Sequence, residues 1–348
     1  MSGARSEARK LATEQLRRGN AWRLYEVVLW IAAVAAIFLL PSKMLLLTEV
    51  AITALFALSL DLVLGYAGIV SLGHAAFFGL GAYAAGLFAK YAVAEPVTGL
   101  FAAAAVSGLA GFGASFLVLR GSDLTRLMTT LGIALMLAEL ANQMAWVTGG
   151  ADGLSGVTIG PILGVFEFDL WGRTGYVYSL AALFILTFVA RHLVNSSFGL
   201  SLRAIKANSM RAAMVAIPAR NRIIVIYTIA AAYAGIAGAL LTHTTSFVSP
   251  DVLAFHRSAD VLLVLVIGGV GYLYGGIIGA VIFTVLRDWL SVSTPQYWMF
   301  WIGLILIAIV LVGRERIARW HTFLPASLQL GIKRFATWRP GVKLKESR

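Results

Sequence analysis

Apolar residues run through this chain in long stretches, set apart by short polar or glycine-rich segments. Val27–Leu40 is the first, ended by Pro41, and Met44–Leu64 is the second. The pattern breaks at Gly65-Tyr-Ala-Gly68 and resumes over Ser71–Ala89, then Val97–Leu119 and Leu124–Val147. A glycine-rich, polar and aromatic segment, Gly149–Gly175, leads to Tyr176–Ala190. Beyond a polar island come Ile223–Leu241 and Val261–Leu286, the latter interrupted at Gly268-Gly-Val-Gly271 and again at Gly275-Gly276. Trp298–Val312 is the last. Runs of this kind predict membrane helices, which need ~20 apolar residues to cross the hydrocarbon core and satisfy their own backbone there.

The polar island, Asn195–Ile217, organises the rest. Arg191, Arg203, Lys206, Arg211, Arg220 and Arg222 fall in or beside it, and no Asp or Glu lies within it. In a membrane protein that bias places a loop in the cytoplasm. Leu202, Ile205, Met210, Met214 and Ile217 are spaced to give a short helix one apolar face, and Pro218 ends the run. An apolar face on the water side needs a partner to bury it.

Charge also sets the topology. The tail before Tyr25, the island and the tail after Gly313 hold 21 of the 28 Lys and Arg, so all three are expected inside. Six spans before the island agree with this. The last tail returns inside only if the glycine break divides Val261–Leu286, which gives about ten crossings, some incomplete. Gly149–Gly175, His243–Arg257 and Asp288–Gln296 are then expected outside. The organisation is a basic tail (1–25), a first membrane half (26–190), a cytoplasmic loop (191–222), a second half (223–313) and a basic tail (314–348).

Composition agrees. The 348 residues are 59% hydrophobic and 13% charged, with mean hydropathy +0.85. Soluble domains carry about 25% charged residues, so the fold class is an all-α polytopic membrane protein. A net charge of +12 would suit nucleic acid, but its confinement to the flanks of spans points to anionic lipid instead. With no cysteine, disulfides and thiolate metal sites are excluded. The first apolar run starts near Val27 behind a basic tail, so no cleavable signal is expected. There is no G-x-x-x-x-G-K-[ST], no H-E-x-x-H and no G-x-S-x-G, and nothing in the sequence orients Ser71 and His74 as nucleophile and base.

The two glycine breaks, Gly65–Gly73 and Gly268–Gly276, fall in the two halves, each between apolar runs. Broken helices leave backbone groups unpaired, which is tolerated only inside protein or along a watery cavity, so paired breaks point to a transport path. Gly79, Gly81 and Gly86 are accounted for by close helix packing alone.

Three motifs carry a family resemblance. Asp61–Gly86 reads D-L-V-L-G-Y-A-G-I-V-S-L-G-H-A-A-F-F-G-L-G-A-Y-A-A-G. Thr148–Val157 reads T-G-G-A-D-G-L-S-G-V, and Arg203–Ile217 reads R-A-I-K-A-N-S-M-R-A-A-M-V-A-I. Together with Ile267–Gly271 and Gly275–Ala280 they resemble the permeases of bacterial ABC importers for branched-chain amino acids (LivM/LivH type), over most of Thr48–Val312 and more on the LivM side. Many relatives carry an acid where Ser209 stands, a glycine where Ala216 stands and a glutamate where Leu135 stands.

The resemblance implies an ABC importer permease fold in the bacterial cytoplasmic membrane. It also implies partners: a second homologous permease, two ATPase subunits and an extracytoplasmic substrate-binding protein. ATP and magnesium would bind only in the ATPases, with no cofactor or metal in this chain. The coupling loop that docks on an ATPase would be Arg203, Lys206, Asn208, Met210, Arg211, Ala212, Met214 and Ile217. A substrate path would follow Gly65, Gly68, Ser71, Gly73, His74 and Phe77, with Glu139 and the second-break glycines Gly268 and Gly271.

Single polar residues have plainer readings beside these. His74 is expected to hydrogen-bond carbonyls freed at the break. Asp61, Arg257, Asp260 and Asp288 read as interfacial charges near span ends. Glu139, followed by Asn142 and Gln143, needs a partner or a polar cavity within its span. The alternatives to a branched-chain importer are an ABC permease for urea, amides or aromatic acids, a secondary transporter with broken helices, and an integral-membrane enzyme. The last lacks a polar catalytic cluster.

Overall fold

The structure, a computed structural model, describes residues 24–169 and 171–312; both basic tails lie outside the described residues. Among these residues the fold is helical, with two isolated bridges, Leu154 to Val248 and Ile162 to Phe166, and no strand. The helices are α1 (Leu24–Leu39), α2 (Met44–Asp61), α3 (His74–Tyr91), α4 (Pro96–Val118), α5 (Asp123–Gln143) and α6 (Arg173–Val194). Then come α7 (Ser197–Ala207), α8 (Ser209–Met214), α9 (Ala219–Thr245), α10 (Phe255–Gly268), α11 (Gly275–Ser293) and α12 (Trp298–Val312). Six helical runs are long and apolar enough to cross a membrane: Pro41–Ala67, α4, α5, α6, α9 and α11. One compact unit ends at Asp288, and a second, beginning at Trp289, carries α12 among its described residues. That helix is apolar throughout.

Helix α9 is the hub of the first unit, because small residues let its neighbours approach at backbone distance. A Cβ on Gly81 would overlap the backbone of Gly235, and one on Gly238 the carbonyl of Phe78. On the other side, a Cβ on Gly111 would overlap Ala231. At these approaches hydroxyls reach carbonyls across helices: Ser107 Oγ donates to Phe77 O (2.9 Å) and Thr242 Oγ to Ala82 O (3.0 Å). Lipid offers no hydrophobic drive between helices, so close packing and such bonds hold them. Gly79 and Gly86 have the same use, facing Leu253 and Leu154.

Helix α1 sits at the edge, with Ile31, Phe38 and Leu39 more than 60% exposed. It is held by a buried ion pair, Glu26 Oε2 to Arg191 Nη1 (2.5 Å), by Tyr176 OH on Ala33 O (2.8 Å), and by Trp30 edge-on to Phe184.

His243–Arg257, expected as an outer segment, is only partly a loop. α9 runs on to Thr245, and Ser246 turns the chain with a left-handed φ of 53°. Val248 pairs with Leu154, and Ser249 caps a short turn, Pro250–Leu253, by accepting from Asp251 N (3.2 Å). From there the chain descends along α3: Val248 faces Gly86, Leu253 faces Gly79, and Ser258 Oγ accepts the Ala75 N–H (2.9 Å). α10 therefore starts at Phe255, ahead of the apolar run at Val261. Its polar first turns, His256, Arg257 and Asp260, had disguised it as loop.

Candidate functional site

The first break is built by α2 running past Asp61 into a π-helical turn, Leu62–Ala67, closed by Gly68 at φ 76°. Such wide turns occur at functional positions and leave carbonyls without helical partners. The Gly65 carbonyl accepts from Lys206 Nζ at 2.7 Å, across from the loop. Beside it the Arg203 guanidinium lies over the Tyr66 ring, 5.4 Å from its centroid. A Cβ on Gly68 would stand 2.9 Å from Lys206 Cγ.

The second break meets the first at the same place. Gly269 and Gly271 turn the chain with φ of 104° and 81°. The Gly271 N–H donates to Asp61 Oδ1 at 2.7 Å, and a Cβ on Gly65 would stand 2.7 Å from Gly271 N. Gly268 packs on the Gly275 carbonyl, where a Cβ would not fit. Asp61 is thus no interfacial charge: it is fully buried and holds one break to the other.

Ser71, Gly73, His74 and Phe77 are all buried where the chain re-enters to start α3. Leu72 N–H donates to Thr130 Oγ of α5 (3.2 Å), and Gly73 lies on the Thr130 carbonyl. His74 does not serve the freed carbonyls, nor does it pair with Ser71. Its Nε2 is 2.9 Å from Ser59 Oγ, whose own proton points to Phe56 O (2.6 Å), so Nε2 carries the proton and donates. The ring stacks on Phe56 (5.8 Å, 11°) and meets Phe77 edge-on (5.9 Å). The freed carbonyl of Gly65 has Lys206 instead, because the loop is close enough to supply a longer, charged donor. Glu139 is not brought to this group. It is exposed on α5, away from the buried Thr130, Ala134 and Ala141, and accepts from Gln143 Nε2 (2.7 Å).

The loop is two helices rather than one. Ser196 caps α7 by accepting from Phe198 N (3.2 Å), and Asn208, at φ −166°, ends it and caps α8 by accepting from Arg211 N (2.9 Å). This divides the expected apolar face. Leu202, Ile205 and Ala212 are buried against the chain itself, Ile217 is half-buried, and Met210 and Met214 are 72% and 78% exposed, with Val215 beside them. α8 ends with Ile217 N–H on Ala212 O (3.1 Å) and Ala216 N–H on Ala213 O (3.0 Å), the paired bonds of a Schellman motif. That motif puts Ala216 at φ 58°.

Arg257 and His256 both pair loosely with Asp251, their neighbour Ser258 meets the first turn of α3, and Asp260 follows on α10. The one local signal is Ser249-Pro250, a serine cap before proline, which marks the short turn ahead of α10. Among the described residues, no group of three or more His, Asp or Glu side chains is placed to hold a metal ion.

A family model described as "Branched-chain amino acid transport system / permease component" matches residues 43–310. The chain is 28% identical over 317 residues to the high-affinity branched-chain amino acid transport system permease protein LivM of Escherichia coli K12, covering 83% of this chain and 73% of that protein. It is 27% identical over 311 residues to LivM of Salmonella typhimurium LT2, with the same coverage. No solved structure matches. The family match spans both breaks and the loop they share, so this chain, a multi-pass membrane protein, belongs to the permease family of branched-chain amino acid transport systems.

Proposed function

We propose that this chain is one of two permease subunits of an ATP-driven importer for branched-chain amino acids in a bacterial cytoplasmic membrane. Two ATPase subunits, carrying ATP and magnesium, dock on α8, and a binding protein delivers substrate to the outer side. The observation that carries this reading is the exposed Met210–Met214–Val215 edge of α8, on a loop bonded directly to a helix break. Water is a poor environment for that edge, and a groove on an ATPase would bury it. Movement of α8 would then reach the breaks through Lys206 and Asp61.

The path itself is proposed to lie between this chain and the second permease. His74 and Phe77 are packed shut within the subunit, so they hold the break in shape while the passage runs along an exposed face. The carboxylate of Glu139 on the exposed side of α5 suits such a face better than lipid. Ten crossings remain the proposed count, because the chain turns at each break and the positive charge beyond Trp298–Val312 suits the inner side.

Replacing Met210 and Met214 together with Asp tests the docking. An unpaired charge in that groove should release the ATPases or end their stimulation by loaded binding protein, while the protein still inserts. Full ATPase retention with normal stimulated hydrolysis would remove the importer reading. A permease for urea, amides or aromatic acids is separated from the branched-chain one by equilibrium binding of the partner binding protein to such ligands.

A further inference from the structure

The first unit carries a charge cluster that the coupling arrangement does not use. Its depth can be counted along packed helices. Ser258 sits at Ala75, in the first turn of α3, and the neighbouring His74 is bonded to Ser59 of α2. At ~1.5 Å per residue, Ser59 lies roughly 12 Å from the Ala67 end of the Pro41–Ala67 run and about 27 Å from its other end. Arg257, adjacent to Ser258, is therefore within the ~30 Å hydrocarbon thickness, as are Asp251 just before α10 and Asp260 one turn further along it.

These side chains are not sealed in the chain. Asp251, His256 and Arg257 are 50%, 55% and 34% exposed, and Asp260 is half-buried. Asp251 Oδ2 is 3.4 Å from His256 Nε2 and 3.8 Å from Arg257 Nε, loose pairings that leave each group capacity for another partner. The Asp260 carboxylate is within electrostatic reach of His256, Arg257, Arg287 and Asp251. Acyl chains are an untenable neighbour for four ionisable groups, so at this depth they face water or protein. His256, Arg257 and Asp260 also stand on the first turns of a 14-residue helix with no acid in its first turn, where backbone N–H groups and the helix dipole favour an anion.

The cluster offers both signs a few ångströms apart where a short turn leads into α10. We propose that Asp251, His256, Arg257 and Asp260 form a relay site within the membrane for the zwitterionic backbone of an amino acid in transit. Arg257, His256 and the α10 N-terminus take the carboxylate, and Asp251 and Asp260 take the ammonium. A site that grips the part common to all amino acids, and leaves the side chain alone, suits a passage serving several of them. The inference rests on the amino-acid importer reading.

The test uses the whole transporter, with its second permease, ATPases and binding protein, in proteoliposomes. The chain has no cysteine, so His256→Cys places a single thiol in this subunit. A cationic, membrane-impermeant methanethiosulfonate should modify that thiol, and leucine-loaded binding protein with ATP should slow the modification at least threefold. Arg257→Gln and Asp260→Asn should each lower leucine uptake tenfold or more with ATPase subunits retained, and Arg257→Lys should recover part of it. An inert thiol in the assembled transporter, the result expected if the cluster packs against the second permease, overturns the site. So does wild-type uptake by both Arg257→Gln and Asp260→Asn. If either variant fails to assemble, the thiol result decides. A wild-type transporter that hydrolyses ATP yet moves no leucine overturns the amino-acid reading itself, and does so before any variant is made.

Discussion

The Lys206 ammonium donates to the Gly65 carbonyl oxygen at 2.7 Å, linking two residues 141 positions apart. One belongs to the α7–α8 loop and the other to the wide turn that ends α2. A freed carbonyl in a buried turn needs a donor, and here the donor is the part of the chain proposed to feel the ATPase. Through Asp61 the same turn holds the Gly271 N–H of the second break. Two hydrogen bonds thus join the loop to both breaks.

Replacing Lys206 with Met keeps the aliphatic stem and removes the donor. A charge-assisted bond to a carbonyl is worth about 1.5–3 kcal/mol, so the link should be lost while α7 stays folded. Uptake is expected to fall roughly tenfold on that difference, with ATPase subunits still bound and still hydrolysing ATP. Parallel measurement of hydrolysis and uptake checks this; an unchanged ratio of the two would dismiss the link.

The two glycines of the first break should respond differently. A Cβ on Gly73 would overlap the Thr130 carbonyl, which is backbone and cannot rotate away, so Gly73→Ala should destabilise by about 1–3 kcal/mol and lower the folded yield. Gly68→Ala meets only the flexible Lys206 stem but holds a left-handed φ, at a cost of about 1–2 kcal/mol. It should fold, displace Lys206 and transport poorly. Size-exclusion yield and uptake, measured on both, separate the two outcomes.

Arg191 and Glu26 form a buried pair that anchors α1. Arg191→Met removes one partner of the Glu26 carboxylate, and breaking such a buried pair costs about 3–5 kcal/mol. The double variant Arg191→Met with Glu26→Gln should regain most of that loss. A thermal-melt double-mutant cycle on the purified protein measures the coupling, and additive losses would contradict it.

Ala216 occupies a left-handed position that glycine fills without strain. Ala216→Gly removes a penalty of about 1–2 kcal/mol, offset in part by the ~0.5–1 kcal/mol entropy that glycine adds to the unfolded chain. A modest rise in melting temperature with unchanged ATPase binding is expected. A fall would show that α8 does not end in this turn in solution.

The sequence by itself determined the class, the positions of the spans and of both glycine breaks, and the basic loop. Lipid forces this legibility: a helix must be apolar along its whole length to enter it, and positive charge marks the inner side. Met44–Leu64 and Trp298–Val312 were readable for that reason. What sequence could not decide was partnership. Lys206 with Gly65, Asp61 with Gly271 and His74 with Ser59 join residues by approach in space, and no local period records it. The division of the loop's apolar residues was set by Asn208, whose side chain could either continue a helix or cap the next one. The place of His256, Arg257 and Asp260 alongside α3 followed only from the packing of Val248–Ser258 on its small residues, because polar side chains at a helix start look the same whether the helix packs on a bundle or stands in water.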